Sequence, residues 1–380
     1  MTLSPDGPCR GLSGSLRCSV SLSAHAPITV DGTAGGQSLR TALTLSLVTQ
    51  RPFRVESFCA GRIAPGLRPR HLALLRAAEA LGGRVEGGQA GALGFAFHPR
   101  PVASGNHVLE LGASAPACLV FQCLFYPLAL AGGGELRLVG LTHAPKGPTY
   151  HHLAWVWLPL LEAYGLRAAL SLQRAGFWPE GVGEFRGQVQ TPAEPPLCVE
   201  VPARGTLQDV EVRSLVGGVP FDVAARQARA AENALRERGI YSHAENLPLP
   251  VGKTPGTLVF IRAQFENTFA AFAAVGDRGA APEEVGTKVA HALADFMQSP
   301  GALDEHVADQ ILLPAGLLAA GLLGASSPGT TRFTSARLTP HLRVTAALLE
   351  AFLPVKVEVK EEGEVAVRPL APGSGAPPRA

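Results

Sequence analysis

The chain has 380 residues, 46% hydrophobic and 17% charged, too long for one ordinary core, so two domains or one repeated architecture is expected. Its 33 basic residues nearly balance 31 acidic ones, for a net charge of +2, which excludes a general basic footprint and leaves only a local basic groove for nucleic acid. The six cysteines form no CxxC pair and lie at no zinc-like spacing from histidine, which fits a reduced, cytoplasmic protein.

Along the chain, residues 1–26 read as an N-terminal extension without an apolar run of signal-peptide length, and the later apolar runs are broken by Gly, Pro and charge, so no membrane segment is expected. The first unit opens with GGQSLRTALTLSLVTQRPFRVESF, a helical pattern followed by a β-rich run. It continues through a Gly/Pro-rich loop into RPRHLALLRAAEALGGRVEG, a helix, a Gly stop and a strand. CLVFQCLFYPLALAGGGELRLVGL and HHLAWVWLPLLEAYGLRAALSL repeat that order. So do HVADQILLPAGLLAAGLL, TTRFTSARL and RLTPHLRVTAALLEAFLPVKVEV.

The landmarks hold register: Gln37, Gln122 and Gln310 mark the first helix of each unit, and His71, His152 and His341, each followed by Leu, mark the second. Gln and His are 30 to 34 residues apart in every unit, so this is an internal repeat with one insertion between the second and third copies. The inserted segment reads as strand (LQDVEVRSLVGGVP), helix from Asp222 as cap to Gly239 as stop, two paired strands (GTLVFIRAQF and TFAAFAAV) and a helix beginning at Pro282. The organisation expected is α/β (α+β): repeats one and two over 27–189, the inserted small domain over 190–300, repeat three over 301–362, and a Pro/Gly/Ala-rich tail over 363–380.

In the third unit Thr339 caps and Pro340 opens a helix whose first turn carries His341. Free N–H groups and the positive end of the helix dipole face outward there, an arrangement that attracts anions.

The stretches DGTAGGQSLR, AGRIAPGLRPRHL, GFWPEGVGEF, HVADQILLP and HLRVTAALLEAFLPV, in this order from about Thr29 to Val359, resemble the RNA 3′-terminal phosphate cyclases. The resemblance implies a large domain of three units, each a four-stranded sheet with two helices, architecturally like enolpyruvyl transferases, with an inserted thioredoxin-like domain. It implies ATP-dependent conversion of an RNA 3′-phosphate to a 2′,3′-cyclic phosphate, with RNA and ATP as partners. His341 then matches the nucleophile that carries AMP; a neutral imidazole is nucleophilic and leaves readily from phosphorus. His306, Val307, Ala308, Asp309 and Gln310, with Gln122, match the ATP-binding positions. Arg40, Arg62, Arg68 and Gln37 are the residues expected to hold phosphate and the RNA end, guanidinium forks suiting that role; Arg70 and His71 lie beside them.

The chain departs from the family at several of these places. Thr33 stands where a glutamate helps hold the divalent metal, Mg²⁺ or Mn²⁺, and Ala34 replaces the following glycine, so either Asp31 reaches in, or the metal rests mostly on ATP itself, or catalysis is weakened. His306 replaces a tyrosine, while Thr345 and Ala144 each replace an asparagine. These losses keep open a catalytically impaired, cyclase-like RNA-binding protein. An enolpyruvyl transferase is disfavoured by the scarcity of lysine.

Overall fold

The structure, a computed structural model, describes residues 26–145, 147–324 and 328–370. The expectations for residues 1–25 and for the tail from 371 lie outside the described residues. The first unit runs β1 (Ile28–Asp31), α1 (Gly36–Thr49), β2 (Phe53–Glu56), α2 (Pro69–Gly82), β3 (Gly83–Glu86) and β4 (Phe95–Pro99). Its sheet has the order β1-β2-β4-β3, with β1 and β2 parallel and the other pairs antiparallel. A parallel pair needs a crossover, and α1 supplies it. Phe53 and Val55 of β2 turn inward while Arg54 and Glu56 face water, the period-two alternation of a sheet covered on one side.

The second unit has the same path: β5 (His107–Pro116), α3 (Ala117–Leu130), β6 (Gly134–Leu141), α4 (Tyr150–His152), a π-helical turn (Leu153–Trp157), α5 (Leu158–Glu162), β7 (Ala168–Arg174) and β8 (Gly183–Val189). The sheet order is β5-β6-β8-β7. Helix α3 is apolar on every side except at Gln122, as suits a largely interior helix. It packs against α1, and Phe121, Phe125 and Tyr126 meet Trp157 edge-on.

The third unit begins with β9 (Cys198–Val201) and is then interrupted by the small domain: β10 (Leu207–Gly217), α6 (Asp222–Arg236), β11 (His243–Pro248), β12 (Gly256–Phe265), β13 (Phe269–Val275) and α7 (Pro282–Gln298). That sheet has the order β11-β10-β12-β13, with only β10 and β11 parallel. Its core is separate, built from residues such as Val212, Leu235, Ile261, Leu293 and Phe296. Helices α6 and α7 pack closely because Gly286 has no side chain; a Cβ there would lie 2.1 Å from the Gln227 carbonyl oxygen. The third unit resumes with α8 (Glu305–Ala319), β14 (Thr330–Thr334), α9 (Pro340–Phe352), β15 (Val355–Val359) and β16 (Glu364–Pro369), giving the sheet β9-β14-β16-β15.

All three units are therefore βαβαββ with one strand order, and the insertion occupies the first crossover of the third. Four sequence expectations change. Strand β9 belongs to the third sheet through parallel pairing with β14, although it falls in the range expected for the insertion. Strand β16 extends that sheet past residue 362, into the range read as tail. The small domain gains β11, a polar edge strand. Asp222 is the first residue of α6 rather than its cap, which is Phe221.

The small domain docks on the second unit where Ala175 N donates to the Pro250 carbonyl oxygen at 2.6 Å and the Phe177 ring fills the space left by Gly256. Trp155 meets Phe260 edge-on and receives the Arg213 guanidinium over its ring. Beneath it, His143 and His151 are buried with their Nε2 and Nδ1 atoms 3.0 Å apart. Burial pushes His151 down to about 3, and burial with neighbouring arginines pushes His71 down to about 4. These histidines stay neutral in the fold and take up protons first in the unfolded chain, so their effect on stability is absent above about pH 6.5 and destabilises progressively below it. The unfolding midpoint should fall as pH drops from about 6.5 to 4, and His151→Phe should flatten that slope in a pH series of thermal melts.

Candidate active site

The first turn of α9 is fastened to α8 through one hydroxyl. Thr339 Oγ1 accepts from Leu342 N at 2.9 Å, closing the helix start, and donates its own proton to Asp309 Oδ1 at 2.5 Å. The second oxygen of Asp309 lies 3.8 Å from His341 Nδ1, close enough for charge interaction and too far for a hydrogen bond. Asp309 is only 11% exposed, whereas His341 is 56% exposed. Burial pushes the Asp309 carboxyl up to about 6. Partial burial and the charges of Arg40, His306 and Arg62 hold His341 below the ordinary histidine value. At neutral pH the imidazole is uncharged and faces an ionised carboxylate, which favours the proton on Nδ1 and leaves the Nε2 lone pair free.

This arrangement fixes a pH response. Any reaction needing ionised Asp309 should lose rate as pH falls through about 6, and a need for neutral His341 adds to the loss further below the ordinary histidine range. Thr339→Val removes both the cap and the donor to Asp309. We expect a loss of about 1 kcal/mol of stability and an acid limb moved to higher pH, read from the pH dependence of kcat/KM.

The glycine turn after β1 lies alongside. Gly35 has φ +73°, and a Cβ there would lie 2.9 Å from Cys59 Sγ, so the backbone needs glycine for both reasons. Gln37 Nε2 donates to Thr345 Oγ1 at 3.3 Å, one turn along α9 from His341, and Gln37 Oε1 accepts from Arg40 Nη2 at 2.5 Å. Burial lowers Arg40 to about 10. Among the described residues, Arg40, Arg62, Arg68 and Arg70 form no ion pair with a carboxylate. Arg62, Arg68 and Arg70 are exposed and Arg40 is partly buried; a desolvated guanidinium without a carboxylate, as at Arg40, suits an anionic partner. His71 is different. It is buried, its Nδ1 accepts from Arg68 N at 3.1 Å, and its ring stands edge-on to Phe58, so it closes the start of α2.

On the other side of Asp309, Gln122 Nε2 donates to Gln310 Oε1 at 3.3 Å, and His152 Nε2 lies 3.1 Å from the same oxygen. The three repeat glutamines and the third-unit histidine are thus brought together by the packing of α1, α3, α8 and α9. His306 is exposed at the start of α8. Val307 and Ala308, expected at the nucleotide, have fully buried side chains; Val307 N donates to Asp304 Oδ1 and Ala308 N to the Asp304 carbonyl oxygen, so side chains and amides anchor α8 and do not face the site. His152 was visible in the sequence only as a repeat landmark; its place in the site comes from the helix packing.

Asp31 is exposed and turned onto the Thr33 turn. Its two oxygens accept from Thr33 N and Thr33 Oγ1, each at 2.9 Å. Among the described residues no group of three His, Cys, Asp or Glu side chains is arranged to hold a metal ion. Within this turn the one carboxylate, Asp31, is engaged by Thr33, so no multi-carboxylate cage for Mg²⁺ or Mn²⁺ forms there. No helix among the described residues is long and apolar enough to cross a membrane.

Three βαβαββ units thus gather an exposed histidine at a helix start, an acid beside it and arginines without carboxylates in an α+β fold. The sequence profile described as RNA 3′-terminal phosphate cyclase matches residues 31–359. Proteins of that name from Ralstonia nicotianae and Methylococcus capsulatus are each 36% identical over 338 residues, covering 88% and 87% of this chain and 93% and 91% of theirs. One from Koribacter versatilis is 34% identical over 341 residues, covering 88% of this chain and 92% of its own. The chain belongs to the RNA 3′-terminal phosphate cyclase family.

Proposed function

We propose that the protein uses ATP to convert an RNA 3′-terminal phosphate to a 2′,3′-cyclic phosphate by way of AMP bound covalently to His341. The observation that carries this reading is the exposed His341, held neutral beside Arg40 and Arg62 and backed by Asp309. The Nε2 lone pair forms a bond to the α-phosphorus of ATP while the bond to the β-bridging oxygen breaks and its pair leaves with pyrophosphate. An oxygen of the RNA 3′-phosphate then attacks the same phosphorus, and the P–N pair returns to the imidazole. In the last step the neighbouring 2′-hydroxyl oxygen attacks the 3′-phosphorus, AMP leaves with the P–O pair, and the hydroxyl proton passes to solvent or a basic group.

The residues divide the work. The α9 start and Arg40 favour the anionic phosphates. Arg62 and Arg68, on the loop before α2, provide guanidinium groups for the RNA terminal phosphate. Gln122, Gln310 and Asp309 supply hydrogen-bonding groups for ribose and base, and His306 a ring for stacking.

Incubating an oligoribonucleotide bearing a 3′-phosphate with ATP, in magnesium, manganese or neither, tests the reading. The expected product is an end resistant to phosphatase and sensitive to acid opening, formed only with ATP. RNA binding with no conversion under any of these conditions would favour the non-catalytic RNA-binding alternative, for which Thr33 is the motive.

A further inference from the structure

Gln310 projects from α8 with one oxygen held by two neighbours from the second unit. Gln122 Nε2 lies 3.3 Å from Gln310 Oε1 and His152 Nε2 3.1 Å from it. A carbonyl oxygen only accepts, so both neighbours donate, and His152 carries its single proton on Nε2. Burial keeps this imidazole neutral, lowered to about 4, with His306 close enough to oppose its protonation. Two donors on one oxygen fix the side-chain amide in one sense: the Gln310 NH₂ group is turned away from them. The His152 backbone is fixed as well, because Thr149 caps α4 and accepts from His152 N at 3.2 Å.

We propose that His152 is a positioning residue that locks the Gln310 amide, so that its NH₂ donates to an acceptor atom of the bound adenine nucleotide. The inference rests on the reading of Gln310 as a nucleotide contact. His152 itself need not touch the nucleotide. Without the His152 donor, Gln310 is held by Gln122 alone, whose own amide can turn with it; the pair then populates two senses, only one of which presents the Gln310 hydrogens, and ordering it costs binding energy.

The test is a double-mutant cycle on AMP affinity, measured by calorimetric titration of wild type, His152→Phe, Gln310→Ala and the double variant. Phenylalanine keeps ring volume and removes the donor, and thermal melts of the four proteins establish that each is folded. We expect His152→Phe and Gln310→Ala each to weaken AMP about tenfold, and the double variant to be no weaker than Gln310→Ala alone. Additive losses, or an unchanged affinity in His152→Phe, would overturn the inference; so would wild type that binds no AMP. Covalent labelling of His341 is scored separately in the wild-type sample. AMP binding with intact coupling but no label would remove the catalytic reading and leave this one standing.

Discussion

Replacing His341 by alanine is expected to lower cyclisation by at least about a thousandfold, a loss of the size seen when a covalent nucleophile is removed. Affinity for ATP and RNA should change by less than about threefold. The side chain is 56% exposed on the first turn of α9, so its truncation leaves no core cavity. The cap from Thr339 to Leu342 N involves other atoms and survives. A structural histidine would show the opposite pattern, with stability falling and activity following it. Rates under single-turnover conditions, with melting curves for both proteins, separate the two.

Arg40→Met should act in opposite directions on activity and stability. The guanidinium is packed into surroundings that lower it to about 10, and its polar partner is the Gln37 amide rather than a carboxylate. Replacing a poorly compensated buried cation with an apolar side chain of similar length is often neutral or stabilising by about 1–4 kcal/mol. Removing a preorganised cation from a phosphoryl-transfer site costs about 10²–10³ in rate. The variant should therefore melt at the same or a higher temperature and be nearly inactive. Arg40→Lys should not restore full rate, because a point charge cannot reproduce the fork that grips two phosphate oxygens. A destabilised Arg40→Met with normal kcat/KM would show that Arg40 is a core strut.

The Gln-to-His register made the three units legible because period and spacing survive without any knowledge of contacts. The same reasoning missed what pairing alone determines. β9 is four residues long with no pattern tying it to a sheet resumed after the insertion, and only its register with β14 assigns it. β11 carries no alternation of apolar and polar residues, as an edge strand allows. In the candidate site, the sequence names His341, Asp309, Gln310, Gln122 and Arg40 as residue types. Their geometry was not: the Thr339 hydroxyl bridging helix start to acid, and His152 reaching Gln310 across 158 positions of sequence, depend on how helices of different units cross. Val307 and Ala308 matched a motif yet face the core, since a motif names positions and a helix decides which of them look outward.

The central claim is that His341 becomes covalently attached to AMP. The most direct test is intact-protein mass spectrometry of the full chain after incubation with ATP, followed by peptide mapping at alkaline pH, where a phosphoramidate survives. The account predicts one added AMP, located on the peptide containing His341, lost in mild acid and absent from His341→Ala. An AMP adduct that persists in His341→Ala, or cyclisation of RNA with no adduct at any time during turnover, would contradict it.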